Sequence, residues 1–182
     1  MTELEHECLD RFPHWLDCLH EDVVALASLL TAESIPEGAQ RHIAGALNYL
    51  TKSLDLIPDG VEDLGYLDDA FVIRVAASLA VAETPSVREV DIRGLLVRLA
   101  QEAKLIEQWM GNDFPRLVKV VRELGKGASR GRSVDDIITD PAIRAEAIRE
   151  VQSWSKTYQK PSFHKDPQTL IKLRSFLSSR LP

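Results

Sequence analysis

Asp55, Asp59, Asp68 and Asp69 crowd residues 55–69, with Glu62 and Asp63 between them. Carboxylate oxygens are hard ligands, and several brought to one point suit Mg²⁺ or Ca²⁺. The spacing is not that of an EF-hand loop, which needs ligands at alternating positions and a closing Glu. A plainer use competes with each acid. Asp68 or Asp69 stands where a helix is expected to begin, and a carboxylate there accepts backbone N–H groups and complements the helix dipole. Asp55 and Asp59 flank Leu56-Ile57-Pro58, where Asx-type turns are expected.

Two other sets of residues could do chemistry. The first segment holds His6, Cys8, His14, Cys18 and His20. His14 and Cys18 are four apart and share a face if the segment is helical, a pairing zinc accepts. No CxxC pair accompanies them, and buried cysteines with surface histidines are the ordinary reading. Further on, Arg116, Lys119, Arg122, Lys126, Arg130 and Arg132 make a basic stretch that could contact phosphates, as in a nucleic acid. No interleaved aromatics support it, and Gly-Lys-Gly-Ala-Ser-Arg-Gly-Arg does not match a P-loop. No Ser-His-Asp or Cys-His arrangement follows from spacing. The favoured expectation is therefore a non-enzymatic interaction or scaffold protein without a cofactor, the alternatives being a Mg²⁺- or Ca²⁺-dependent protein and an electrostatic nucleic-acid binder.

The elements that must position these residues are helical. In 182 residues, 45% are apolar and only 6% aromatic, so the core is mainly Leu, Ile, Val and Ala, which suits helix-on-helix packing. The pattern predicts an all-α, single-domain bundle of about six to eight helices. A helical segment runs from about Glu3 to Thr31, with a break or kink expected at Pro13. Ser34, Pro36 and Glu37 signal the next helix, whose stripe is Ile43, Leu47, Leu50 and Leu54. A loop over residues 53–67 follows. The run Ala70 to Ala82 is apolar nearly all round and reads as the central helix, with Arg74 inside it. At thirteen residues it falls short of the about 20 a membrane span needs. Helices are further expected over residues 87–110, 113–124, 140–158 and 166–181, with a flexible basic loop at 125–132.

Net charge is −6, with acids concentrated before residue 70 and bases after it. Opposite halves neutralise each other in a compact fold, or one half's field recruits a partner. The acidic N-terminus lacks the features of a secretory signal, so a cytoplasmic location is expected.

The stretch Asn48 to Asp69 alternates acids with large apolar residues: Leu54, Leu56, Ile57, Val61, Leu64 and Leu67. A solvated loop would not carry six of these, so it is expected to fold onto the core. Here Tyr49, Leu50, Asp55-Leu56-Ile57-Pro58-Asp59 and Leu64-Gly65-Tyr66-Leu67-Asp68-Asp69 resemble the DUF1232, or YkvA-like, family of bacterial proteins. The likeness covers about residues 40–80. It implies a helix–loop–helix unit hinged on Tyr49, Pro58, Gly65 and Tyr66, in a family without an established biochemical activity. Ser53, and Glu62 with Asp63, stand where relatives often have prolines, which implies a less rigid, more acidic loop. Many relatives look membrane-associated. The expected partners here are another protein or a second copy, with peripheral membrane contact left open.

Overall fold

A computed structural model of the chain describes residues 1–51, 55–129 and 132–182. Among these, eight α-helices carry the fold: α1 (Glu3–Ser28), α2 (Glu37–Thr51), α3 (Leu67–Ala82), α4 (Val90–Met110), α5 (Phe114–Leu124), α6 (Val134–Thr139), α7 (Pro141–Thr157) and α8 (Pro167–Arg180). The expected all-α bundle is what forms. Among the described residues, no helix is long and apolar enough to cross a membrane.

The apolar helix α3 is central, as its composition predicts. Every residue from Leu67 to Ala77 is buried, and its largest packing surfaces are against α4 and α2. Phe71 meets Phe12 and Trp15 of α1 and Trp109 of α4, with ring centroids 5.0 to 6.1 Å apart. Trp15 is one of the core's largest fully buried side chains.

The break expected at Pro13 does not occur, for α1 runs through it without interruption. Proline in a helix interior forfeits one hydrogen bond and costs about 3 kcal/mol or more. Here Phe12, Pro13, Trp15 and Leu16 are all buried, and their packing outweighs that local penalty. Two elements were not expected. Ala128–Ser129 and Arg132–Ser133 pair as a two-stranded antiparallel ribbon inside the stretch expected to be a flexible loop, and α6 follows directly, capped by Ser133. A six-residue helix offers too few turns for a periodicity to show.

Helices α2 and α5 cross closely at Gly45. A Cβ there would lie 2.6 Å from the Leu124 backbone carbon, so only glycine allows the approach.

Arg74 is fully buried in α3, yet none of its charge is left unbalanced. Its Nε donates to Glu102 at 2.7 Å and its Nη2 to Asp22 at 3.3 Å. Arg98 returns to the same two acids, at 2.5 Å from Asp22 and 3.3 Å from Glu102. The guanidinium lies 4.4 Å over the Trp15 ring. This cluster ties α1, α3 and α4 together. Removing one member of a buried set strands the others in low dielectric. Arg74→Leu is therefore expected to lower unfolding free energy by on the order of 3 kcal/mol, read from the midpoint of a denaturant titration.

Candidate functional site

The elbow between α2 and α3 is folded onto the core, as its apolar residues predict. Leu56, Ile57, Leu64 and Leu67 are buried and Val61 is half-buried; Leu54 lies outside the described residues. Its backbone closes on itself, with Val61 N–H donating to Pro58 O at 2.9 Å and Gly65 N–H to Val61 O at 3.0 Å. Gly65 is required by contact, since a Cβ would stand 2.3 Å from the Asp59 carbonyl oxygen. Asp63 and Tyr66 sit in the left-handed region at φ 78° and 65°, an uncommon place for residues with a side chain. Pro58 is exposed at the tip.

Tyr49, delivered by the last turn of α2, is buried, and its hydroxyl joins three elements. It donates to Asp68 Oδ2 at 2.5 Å and accepts from the Leu56 N–H at 2.7 Å. Asp68 Oδ2 also accepts from the Ile57 N–H at 3.1 Å. The capping role expected of Asp68 is thus replaced by a longer-range one. The N-cap position of α3 is Tyr66, which makes no side-chain cap, and Asp68 turns to the elbow and α2 instead.

Asp69 is the unusual member. It is buried, and among the described residues neither of its oxygens has a hydrogen-bond partner; Asp68 Oδ1 also has none there. One oxygen each from Asp55, Asp68 and Asp69 lies within 4.8 Å of the others. Asp59, the fourth expected ligand, is exposed and outside this group. Its main chain is held against Gly65, which keeps it at the rim.

The acids feel this crowding. Burial pushes Asp68 up to about 6 against the pull of Tyr49 and the Ile57 N–H, and Asp55 adds to the rise. Asp59 is also lifted to about 6, by partial burial of its carboxyl and then by Asp55 and Asp68. Asp69 is raised well above the carboxylate range by burial, then by Asp68, Asp59 and Asp55. Asp55 is raised by burial. Tyr66 covers one side, with Tyr158 and Trp154 of the α7 region at centroid distances of 5.2 and 5.9 Å. His164 meets Asp63 at 3.0 Å and Lys172 donates to the Glu62 carbonyl at 3.4 Å, so the chain after α7 is fastened along the rim.

Three of the expected anion-binding residues are engaged within the chain. Arg116 pairs with Asp113 at 2.6 Å and donates to the carbonyls of Ser178, Leu181 and Pro182. Arg132 is buried and donates to Asn48 Oδ1 and to Glu150 at 2.9 Å, so it locks the ribbon onto α2 and α7. Lys126 pairs with Glu123 at 3.4 Å, and Lys119 and Arg122 are exposed on α5. Arg130 lies outside the described residues. His14 and Cys18 do meet, Sγ to Nε2 at 3.8 Å.

Residues 42–74 match the family model described as Protein of unknown function (DUF1232). That stretch is similar to the DUF1232 family over those residues. It spans Tyr49 through Arg74 and so contains the whole elbow. No curated protein and no solved structure matches the chain.

Two expectations follow from the geometry. Tyr49→Phe leaves the buried Leu56 N–H and Asp68 each short of a partner, and is expected to cost about 1–3 kcal/mol in denaturant unfolding. The second concerns pH. Carboxyls raised in the folded state hold protons that the unfolded chain has released, so stability falls as pH rises from about 4 through about 6. In chelator, melting temperature is expected to drop across that window. Asp69→Asn is expected to flatten the drop, with the two proteins differing most near pH 7 and least near pH 4.

Proposed function

We propose that this protein binds a hard divalent cation, Ca²⁺ or Mg²⁺, at Asp55, Asp68 and Asp69 of the DUF1232 elbow. The observation that carries this reading is Asp69, a buried carboxylate with both oxygens unpartnered among the described residues and two further carboxylates beside it. An isolated buried carboxylate is strongly disfavoured, and such groups are normally paired, protonated or metal-bound. Oxygen ligands of Ca²⁺ lie at 2.3–2.6 Å, so two on opposite sides of one ion stand about 5 Å apart. The spread of the three oxygens fits that limit. Half-exposed Asp55 supplies the way in from solvent.

The reading is one of binding rather than catalysis. Asp55, Asp68 and Asp69 serve as ligands, and the Tyr49 hydroxyl is engaged on both sides, as donor and as acceptor. A bound cation would neutralise the elbow and fix α2 against α3, and thereby the surface the elbow presents to a partner.

Thermal melts with Ca²⁺, Mg²⁺ and Mn²⁺ test it, because a ligand that binds only the folded chain raises its melting point. At a hundredfold excess over Kd, a rise of roughly 5–10 °C is expected for a chain of this size. Tb³⁺ luminescence sensitised by nearby Tyr49 should report the same site. Asp69→Asn should abolish both signals. Flat melting points in all three ions at millimolar concentration would retire the idea.

A further inference from the structure

A second metal-ligand pair stands far from the elbow in ligand chemistry. Helices α1 and α4 enclose a cleft of about 620 Å³. Glu7, Arg11, His14, Cys18 and Glu21 line it from α1, one helical face with spacings of four, three, four and three. Midway along that face, Cys18 Sγ and His14 Nε2 lie 3.8 Å apart. Zinc holds thiolate sulfur at about 2.3 Å and imidazole nitrogen at about 2.0–2.1 Å, which in a tetrahedron separates the two atoms by about 3.6 Å. The pair is therefore within a few tenths of an ångström of the bite that one ion demands.

We propose that His14 and Cys18 bind a borderline-soft cation of the Zn²⁺ type on the wall of this cleft, distinct from the oxygen-only elbow. Two ligands are set by the helix. Glu21, three residues beyond Cys18, is exposed in the same cleft with its carboxylate 3.8 Å from His20, and it would have to turn from His20 to serve as the third. Asp22 and Glu102 also border the cleft but are committed to Arg74 and Arg98, and they stay out of the coordination set. The remaining position faces the cavity and is open to water or a small ligand.

Cys18 is half-buried on this wall, so its sulfur can be reached from the cleft. Cys8 is the internal control. It is fully buried, pushed up to about 12, and lines no part of the cleft.

Cobalt(II) titration of the full-length protein is the test, since cobalt stands in for zinc and reports its ligands. The expected result is a thiolate-to-cobalt charge-transfer band with d–d bands of tetrahedral strength, saturating at one ion per chain and displaced by Zn²⁺. Cys18→Ser should abolish the charge-transfer band while circular dichroism shows an unchanged helical fold. His14→Ala should weaken Zn²⁺ binding at least tenfold. Cys8→Ser and Asp69→Asn should retain the band, the latter separating this site from the elbow. Absence of the band in the wild-type chain overturns the proposal. So does a band that survives Cys18→Ser, and so does His14→Ala with undiminished affinity.

Discussion

The hydroxyl of Tyr49 is the contact on which the elbow depends. It receives the Leu56 N–H and gives its own hydrogen to Asp68, so α2, the loop and α3 meet at one oxygen. The aliphatic residues around it supply most of the burial, but burial is non-directional. Left to themselves, Leu56, Ile57, Leu64 and Leu67 would hold the loop down in several registers. The hydrogen bonds select one, because a buried N–H or carboxylate without a partner is far more costly than a shifted methyl group. Backbone in the left-handed region at Asp63 and Tyr66 is tolerated because this knot and the close Gly65–Asp59 approach over-determine the path.

Helix α3 carries two polar clusters in an otherwise apolar interior, and they are built on opposite principles. Around Arg74, two guanidinium groups face two carboxylates, and the charges balance inside the protein. At the helix N-terminus, Asp55, Asp68 and Asp69 gather, and among the described residues no arginine or lysine is hydrogen-bonded to Asp68 or Asp69. Tyr49 and the Ile57 N–H offset part of the charge on Asp68, and the positive end of the α3 dipole helps both acids of its first turn. Among the described residues, no side chain donates to the oxygens of Asp69. That contrast between the two clusters, more than the number of acids, is the ground for proposing a cation at the elbow.

Much of this was legible in the sequence because it is local. The apolar girth of residues 70–82 marks a central helix, and the loop's six large apolar residues require it to pack. The proximity of Asp55 to Asp68 and Asp69 could be raised only as a possibility, since it depends on how the loop returns. Asp59 has the same residue type and nearly the same spacing, yet its side chain stays at the rim. The pairs Arg132–Asn48 and Asp22–Arg98 are separated by 84 and 76 residues, and no period or spacing encodes them. One clue to the second was available: an arginine inside a helix apolar all round must find buried acids. Pro13 misleads for the converse reason, since its penalty is local while the packing that overrides it is not.

The DUF1232 match ends at Arg74, and this boundary divides the polar groups of the elbow from much of what supports them. Tyr49, Asp55, Asp68 and Asp69 all fall within it. What holds them in place largely does not. Arg74 needs Asp22 and Glu102, Asn48 is gripped by Arg132, and Tyr66 is roofed by Trp154 and Tyr158. The segment taken alone would expose the length of α3 and leave Arg74 without its counter-charges. The site therefore belongs to the segment, while its rigidity belongs to the rest of the chain. Other chains could frame the same elbow with different helices, provided they cover α3 and answer the charge that Arg74 brings into the core.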